Sequence, residues 1–210
     1  MAAISSPYGF KPVNLIGGLP YSGSTRMIPI ASGFGTNIYT GSLVYVLAAG
    51  TLAVATSTGA DATTNGFPTG TANTGCVGVF VGCSYTNPST KQKVFSQYWP
   101  TGTAASDAVA YVVDDDRAVF QVQSAGTVAQ SALGANFFLS AAQSTSTGST
   151  STGNSTTAVV AGASSVQTTA AFRCVGFVDM VGFSTVGDAY TDILVKFNPG
   201  YHSYSNAVGL

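Results

Sequence analysis

The chain contains no glutamate, and that omission bears most heavily on what it can fold into. Its eight acidic residues are all aspartate, and four lysines and three arginines complete the ionic set. Glu, Lys and Arg rank among the better helix formers, whereas Asp, Thr, Val and Gly rank low. Val, Thr, Gly and Ser fill the space instead. Short apolar runs bounded by Gly, Pro, Asn or Asp read as strands. They fall at Arg26–Ile30, Ser42–Leu47, Leu52–Ala55, Cys76–Tyr85, Lys93–Trp99, Ala108–Val113, Val119–Gln123, Phe172–Met180 and Asp192–Phe197. One short helix is expected near Val128–Phe138. The fold class is therefore all-β, a β-sandwich or barrel-like domain with little helix.

Within Cys76–Tyr85, Val77, Val79 and Val81 share one face, and Gly78, Phe80 and Gly82 the other. Both faces are apolar, as in a central strand covered on each side. Along Asp192–Phe197, Ile193, Val195 and Phe197 alternate with Leu194 and Lys196, a strand buried on one face. Cys76-Val77-Gly78-Val79-Phe80-Val81-Gly82 is echoed by Cys174-Val175-Gly176-Phe177-Val178. That echo reads as two central strands in similar surroundings or as an internal duplication. Cys76 and Cys83 have opposite parity on one strand, so they do not bridge each other there. Cys76, Cys83 and Cys174 are expected to be buried, reduced thiols.

Three segments depart from this pattern. Residues 1–25 carry Tyr8, Phe10 and Tyr21, yet Pro7, Gly9, Pro12, Gly17, Gly18, Pro20 and Gly23 interrupt any long helix or central strand. We read them as an extended arm whose aromatic anchors are buried in a neighbouring subunit. Residues 144–157 are only Ser, Thr, Gly and Asn, and read as an exposed loop within a β domain spanning 26–198. Residues 199–210 form a C-terminal tail. No run of eighteen apolar residues suggests a membrane helix, and no charged segment followed by an apolar one suggests a secretion signal.

Chemistry is thinly provided for. The single histidine, His202, lies in the aromatic tail and reads as an exposed or interface residue, and no Gly-x-Ser-x-Gly elbow accompanies it. Three scattered cysteines with one histidine make a poor zinc set, and phosphate-loop motifs are absent. Neither an enzyme nor a cofactor is expected. Asp114-Asp115-Asp116-Arg117 has three readings: a solvated turn, a salt-bridging contact to a neighbouring subunit, or a cation site. Asn154-Ser155-Thr156 is read as a chance glycosylation sequon. A net charge of −1 provides no basic field for nucleic acid or acidic lipid. Charged residues make up 7% of the chain, against roughly 25% in typical domains. A surface so poor in charge suits contact with other protein.

Ser6-Pro7-Tyr8-Gly9-Phe10-Lys11-Pro12-Val13 resembles the opening motif of a family of small virion proteins from tailed bacteriophages. Further segments agree in order: Tyr39-Thr40-Gly41-Ser42-Leu43-Val44, Val77 to Thr86, Val94 to Pro100, Ala110 to Asp115, and Phe172 to Asp179. The resemblance covers residues 6 to about 197. It implies a capsid decoration, or cement, protein on the outer surface of an icosahedral shell assembled in the host cytoplasm. Its partners would be the phage major capsid protein and itself, as a homotrimer, with neither nucleic acid nor membrane involved. Tyr8, Phe10, Pro12, Tyr21, Asp114, Asp115 and Asp116 are then the expected contacts to shell or subunit. The alternative is a glycan-binding or host-attachment module, with Tyr98, Trp99, Tyr111 and Tyr190 as stacking platforms, although Trp99 in Tyr98-Trp99-Pro100 reads more simply as a core or strand-end residue.

Overall fold

The structure, a computed structural model, describes residues 4–56, 75–144, 146–161, 170–180 and 183–205. Its strands in chain order are β1 (Lys11–Leu15), β2 (Arg26–Pro29), β3 (Ile38–Tyr39), β4 (Leu43–Val46), β5 (Leu52–Val54), β6 (Gly78–Thr86) and β7 (Lys93–Ser96). They continue with β8 (Tyr98–Trp99), β9 (Val109–Val113), β10 (Ala118–Gln123), β11 (Asn136–Phe137), β12 (Phe172–Phe177) and β13 (Asp192–Phe197). The fold is all-β, with sheets packed as in a sandwich.

A five-stranded sheet runs β1-β10-β13-β12-β11, and a six-stranded sheet runs β2-β9-β6-β4-β5 with β7 added to β6. The short pair β3-β8 forms a third sheet. Two apolar cores result, and β6 faces both. Val79 joins Leu43, Val113, Phe120, Phe172 and Ile193 between the large sheets. Phe80 and Cys83 join Ile28, Ile38, Val112 and Trp99 on the opposite side of the six-stranded sheet. The expectation of a strand apolar on both faces is met. Its parity is not regular: Val77, expected on the face of Val79, lies in the core of Phe80, and a bulge between Phe80 and Gly82 returns Phe80 and Cys83 to that same core. All three cysteines are buried and unbridged, and burial alone pushes the Cys83 thiol up to about 12.

The arm expected at 1–25 is corrected over residues 10–15. Phe10 is 1% exposed and packs on Phe172 at 4.8 Å and on Phe120 at 6.3 Å between ring centroids. Lys11–Leu15 is an edge strand on β10, with Lys11 opposite Gln121 and Leu15 opposite Ala118. An edge is where a strand containing proline fits, since only one of its sides must supply ladder hydrogen bonds. The Phe10 N–H donates to Gly41 O at 3.0 Å. Gly9 lies so close to Gly41 O that a Cβ there would sit 2.8 Å from it.

The 144–157 loop is corrected too. Ser155 and Thr157 are buried, and the Ser155 N–H donates to Thr40 O at 2.8 Å. Gly148 rests on the Tyr39 ring, where a Cβ would lie 2.2 Å from a ring carbon. The neighbouring Gln143 side chain stitches β4 from within. Its Oε1 accepts from the Leu43 N–H, and its Nε2 donates to Leu43 O and Ala55 O. Small hydroxyl residues thus order by backbone and side-chain hydrogen bonding where they have no apolar group to bury.

The helix expected near Val128–Phe138 is a single 3-10 turn, Gln130–Ala132, followed by β11. The Val128 N–H is taken by Thr191 Oγ1, and Gly134 turns the chain at φ 82° towards pairing with β12. Of the expected tail, residues 206–210 lie outside the described residues. Tyr201 to Ser205 are packed on the domain, with Tyr201 O accepting from the Cys76 N–H at 3.0 Å.

Candidate functional site

Three surface features carry the residues nominated from the sequence, and each is built differently. The first is the corner between the two large sheets. β9 ends at Val113 in one sheet and β10 begins at Ala118 in the other, so Asp114–Arg117 must reverse the chain tightly. Asp115 makes the turn. Its Oδ1 accepts the Arg117 N–H at 2.8 Å, and its carbonyl accepts the Ala118 N–H at 3.1 Å. Asp114 Oδ2 meets Arg26 Nε at 2.6 Å and accepts the Tyr204 hydroxyl at 3.1 Å, while the guanidinium stands 5.1 Å from the Tyr204 ring centroid. Asp116 is exposed. Asp114 is therefore engaged within the chain rather than held out to a partner. No grouping suited to a metal ion occurs among the described residues.

His202, expected to be exposed or at an interface, is instead enclosed within the chain beneath this corner, 1% exposed, between Phe197 and Tyr204. Its Nδ1 accepts the Tyr204 N–H at 3.3 Å, which places the neutral ring's hydrogen on Nε2. Nε2 faces the Val77 backbone without completing a hydrogen bond. Burial lowers the His202 pKa, against the opposing pull of Asp116, Asp114 and Asp115. Below pH about 6.5 the unfolded chain then takes up a proton that the folded chain refuses. Stability is full above that pH and falls as pH drops towards the lowered folded value, by at most about 1.4 kcal/mol per pH unit. Urea midpoints measured from neutral pH down to about pH 5, above the ordinary carboxylate range, should show this slope. His202→Asn, which keeps an acceptor near the Nδ1 position, should remove it. An unchanged slope in the variant assigns the pH dependence to another group.

The second feature is an uncovered strip of the six-stranded sheet. Register places Met27 opposite Tyr111, and Pro29, Val109, Ser84 and Phe95 in a row across β2, β9, β6 and β7. At its other end, Val79 and Val113 on the same face are buried against the five-stranded sheet. Beyond that cover, Met27 is 66% and Phe95 74% exposed. The Tyr111 hydroxyl donates to Ser84 Oγ at 3.2 Å. Lys93 and Asp107 form an ion pair at 3.0 Å on β7's flank. Sequence reasoning missed Met27 and Phe95, although Lys93-Val94-Phe95-Ser96 alternates and puts Phe95 on the face of Lys93.

The third is a cleft of about 390 Å³ beside β1. Tyr8, Phe10, Pro12, Val81 and Phe183 form its apolar lining. Lys11, Thr40, Gln121 and Asn154 add polar groups. Three of the nominated residues thus gather here. The Tyr8 hydroxyl lies beside the buried Asp192 carboxylate without completing a hydrogen bond. Burial first, then Asp192, pushes the Tyr8 pKa up. Tyr21 does not join the cleft. It folds back to donate to Ser24 O at 2.6 Å and packs on the core rim, where burial and then Asp114 and Asp115 raise its pKa.

The four aromatic residues nominated as stacking platforms do not form one. Trp99 is fully enclosed, with its Nε1 donating to Phe34 O at 3.3 Å. Tyr98 stacks on Tyr39 at 5.9 Å, and Tyr190 lies half-buried in the turn before β13. Compared with known protein families, with curated proteins and with solved structures, the chain matches none.

Proposed function

We propose that this protein is a structural component of a virion, a decoration protein that docks as a homotrimer on the outer surface of a phage shell and clamps neighbouring subunits of the major capsid protein. The observation that carries the reading is the uncovered strip around Met27, Tyr111 and Phe95. It is the continuation of a core-forming sheet face with apolar side chains left in water. Covering such a face gains about 25 cal/mol per Å² gross, less the cost of association and ordering. Several copies linked as one assembly add their contacts through effective concentration, so each can be weak alone. Among the described residues only two ion pairs occur, both within the chain, and seven cations and eight anions are spread over 210 residues. A contact made by this surface is chiefly uncharged.

Reattachment to stripped shells tests the reading. The double variant Met27→Ser with Phe95→Ser should keep the wild-type unfolding midpoint, since both side chains are exposed, yet lose at least about tenfold in shell affinity, or 1.4 kcal/mol. Wild-type attachment should survive about 1 M sodium chloride, where the Debye length is near 3 Å and surface charge is screened. Full reattachment of the double variant, or release of the wild type by salt, would overturn the proposed contact.

A further inference from the structure

We infer that the cleft beside β1 is a binding site for an acidic sugar residue, a hexuronate or related sugar acid, independent of the docking strip. Its volume of about 390 Å³ lies within the size range of small-ligand sites. Three of its groups lack an intramolecular purpose. Phe183 is 60% exposed at the cleft although a ring of that size would normally be covered. Lys11 forms no ion pair among the described residues, whereas Arg26 and Lys93 do. Asn154 presents an exposed carboxamide with no hydrogen bond among the described residues.

Together these match one ligand chemistry. The polarised C–H face of a pyranose packs against an aromatic ring, whose face carries negative charge density. Phe183 supplies that ring, with Tyr8 beside it. A carboxamide both donates and accepts, as a sugar hydroxyl does, so Asn154 can pair with vicinal hydroxyls in either direction, while Gln121, whose Nε2 already donates to Asp192 Oδ2 at 3.1 Å, keeps its carbonyl and second N–H for them. Lys11 meets the carboxylate. A phosphate group, with its second charge, would find a single cation there. The site is also held in shape: the Asn154 loop is pinned by Ser155 to Thr40 and by Gly148 on Tyr39, and Lys11 stands on a strand paired to β10. A rigid site loses less entropy on binding.

Glucuronate and glucose are the probes, titrated into the intact protein and followed by ligand-observed NMR. Glucuronate should bind with a dissociation constant in the millimolar range, on the order of −4 kcal/mol. Glucose should bind at least about fivefold more weakly, the loss of one exposed charge pair, about 1 kcal/mol. Lys11→Gln should erase the difference between the two sugars, and Phe183→Ala should weaken both. Both side chains project from the surface, so thermal midpoints should stay near wild type. No saturable glucuronate binding, equal binding of the two sugars by wild type, or affinities unchanged in both variants would each overturn the assignment. Shell attachment does not enter any of these readouts, so the two proposals stand or fall separately.

Discussion

Phe10→Ala should destabilise the protein by about 3–5 kcal/mol, the range for losing a fully enclosed phenylalanine. The ring closes an aromatic cluster in which Phe10 touches Phe172 and Phe120, and both of these touch Phe197. Removing it leaves a cavity between sheets whose backbones are fixed by ladder hydrogen bonds, so collapse around the gap is limited. Deleting residues 1–15 should do more. It removes Phe10, the β1 ladder on β10, and the Phe10 N–H bond to Gly41. With native stabilities of about 5–15 kcal/mol, that loss should leave no cooperative transition in urea. A truncated chain with a wild-type midpoint would restore the view that the N-terminal segment is an arm. Ile4 is exposed, yet the Ser6 N–H donates to Gln123 Oε1 at 2.8 Å and Gln123 Nε2 donates to Ile4 O at 3.2 Å, so residues 4–6 are also tied to the domain, and the exposed stretch around Leu19 is the freer part of the segment.

Gly78→Ala should be nearly as severe. A Cβ at Gly78 would lie 2.0 Å from the Val113 carbonyl oxygen and 2.8 Å from its carbon. The obstacle is backbone in the middle of the six-stranded sheet, so no side chain can swing aside. The φ of 155° adds strain for any L side chain. Relief requires β6 and β9 to part where Val79 and Val113 join the inter-sheet core. Overpacking of about 1–3 kcal/mol or more and backbone strain of about 1–3 kcal/mol act together. Chemical denaturation should show a loss of about 3 kcal/mol or more. A loss below about 1 kcal/mol would mean that the two strands are not held at this distance. Gly82→Ala is the internal control, because its Cβ would meet Ser96 O at the more tolerable 3.1 Å.

The all-β class and the strands at Leu43–Val46, Gly78–Thr86, Val109–Val113, Ala118–Gln123 and Asp192–Phe197 were legible because alternation and β-branched content are local signals. What stayed hidden was decided by partners distant in sequence. Lys11-Pro12-Val13 carries a strand-breaking proline, and only β10, more than a hundred residues on, makes it a strand. Ser155 and Thr157 look like solvent residues until Thr40 and Gln143 satisfy them. Trp99 reads more simply as a core or strand-end residue than as a platform, and the structure encloses it. Asp114 read as available for a partner because its counterion, Arg26, lies eighty-eight positions away. The cleft drew Tyr8, Phe10 and Pro12 together with residues from β6, β10 and three loops, a grouping that no single stretch announces.

The five-stranded sheet draws on both ends of the chain: β1 needs β10, and β10 needs β13, which closes the sheet near residue 195. A ribosome must therefore release the whole span from β1 to β13 before that sheet can exist. Until then the aromatic set of Phe10, Phe120 and Phe172 has no shared interior to enter. Loop closures of this span are reached slowly, and all-β chains dominated by such distant pairings fold on the order of milliseconds to seconds. A chain made in many copies at once would expose those unpaired strands to one another throughout that interval. Its yield of native protein is therefore set by expression rate and temperature as much as by the stability of the finished fold.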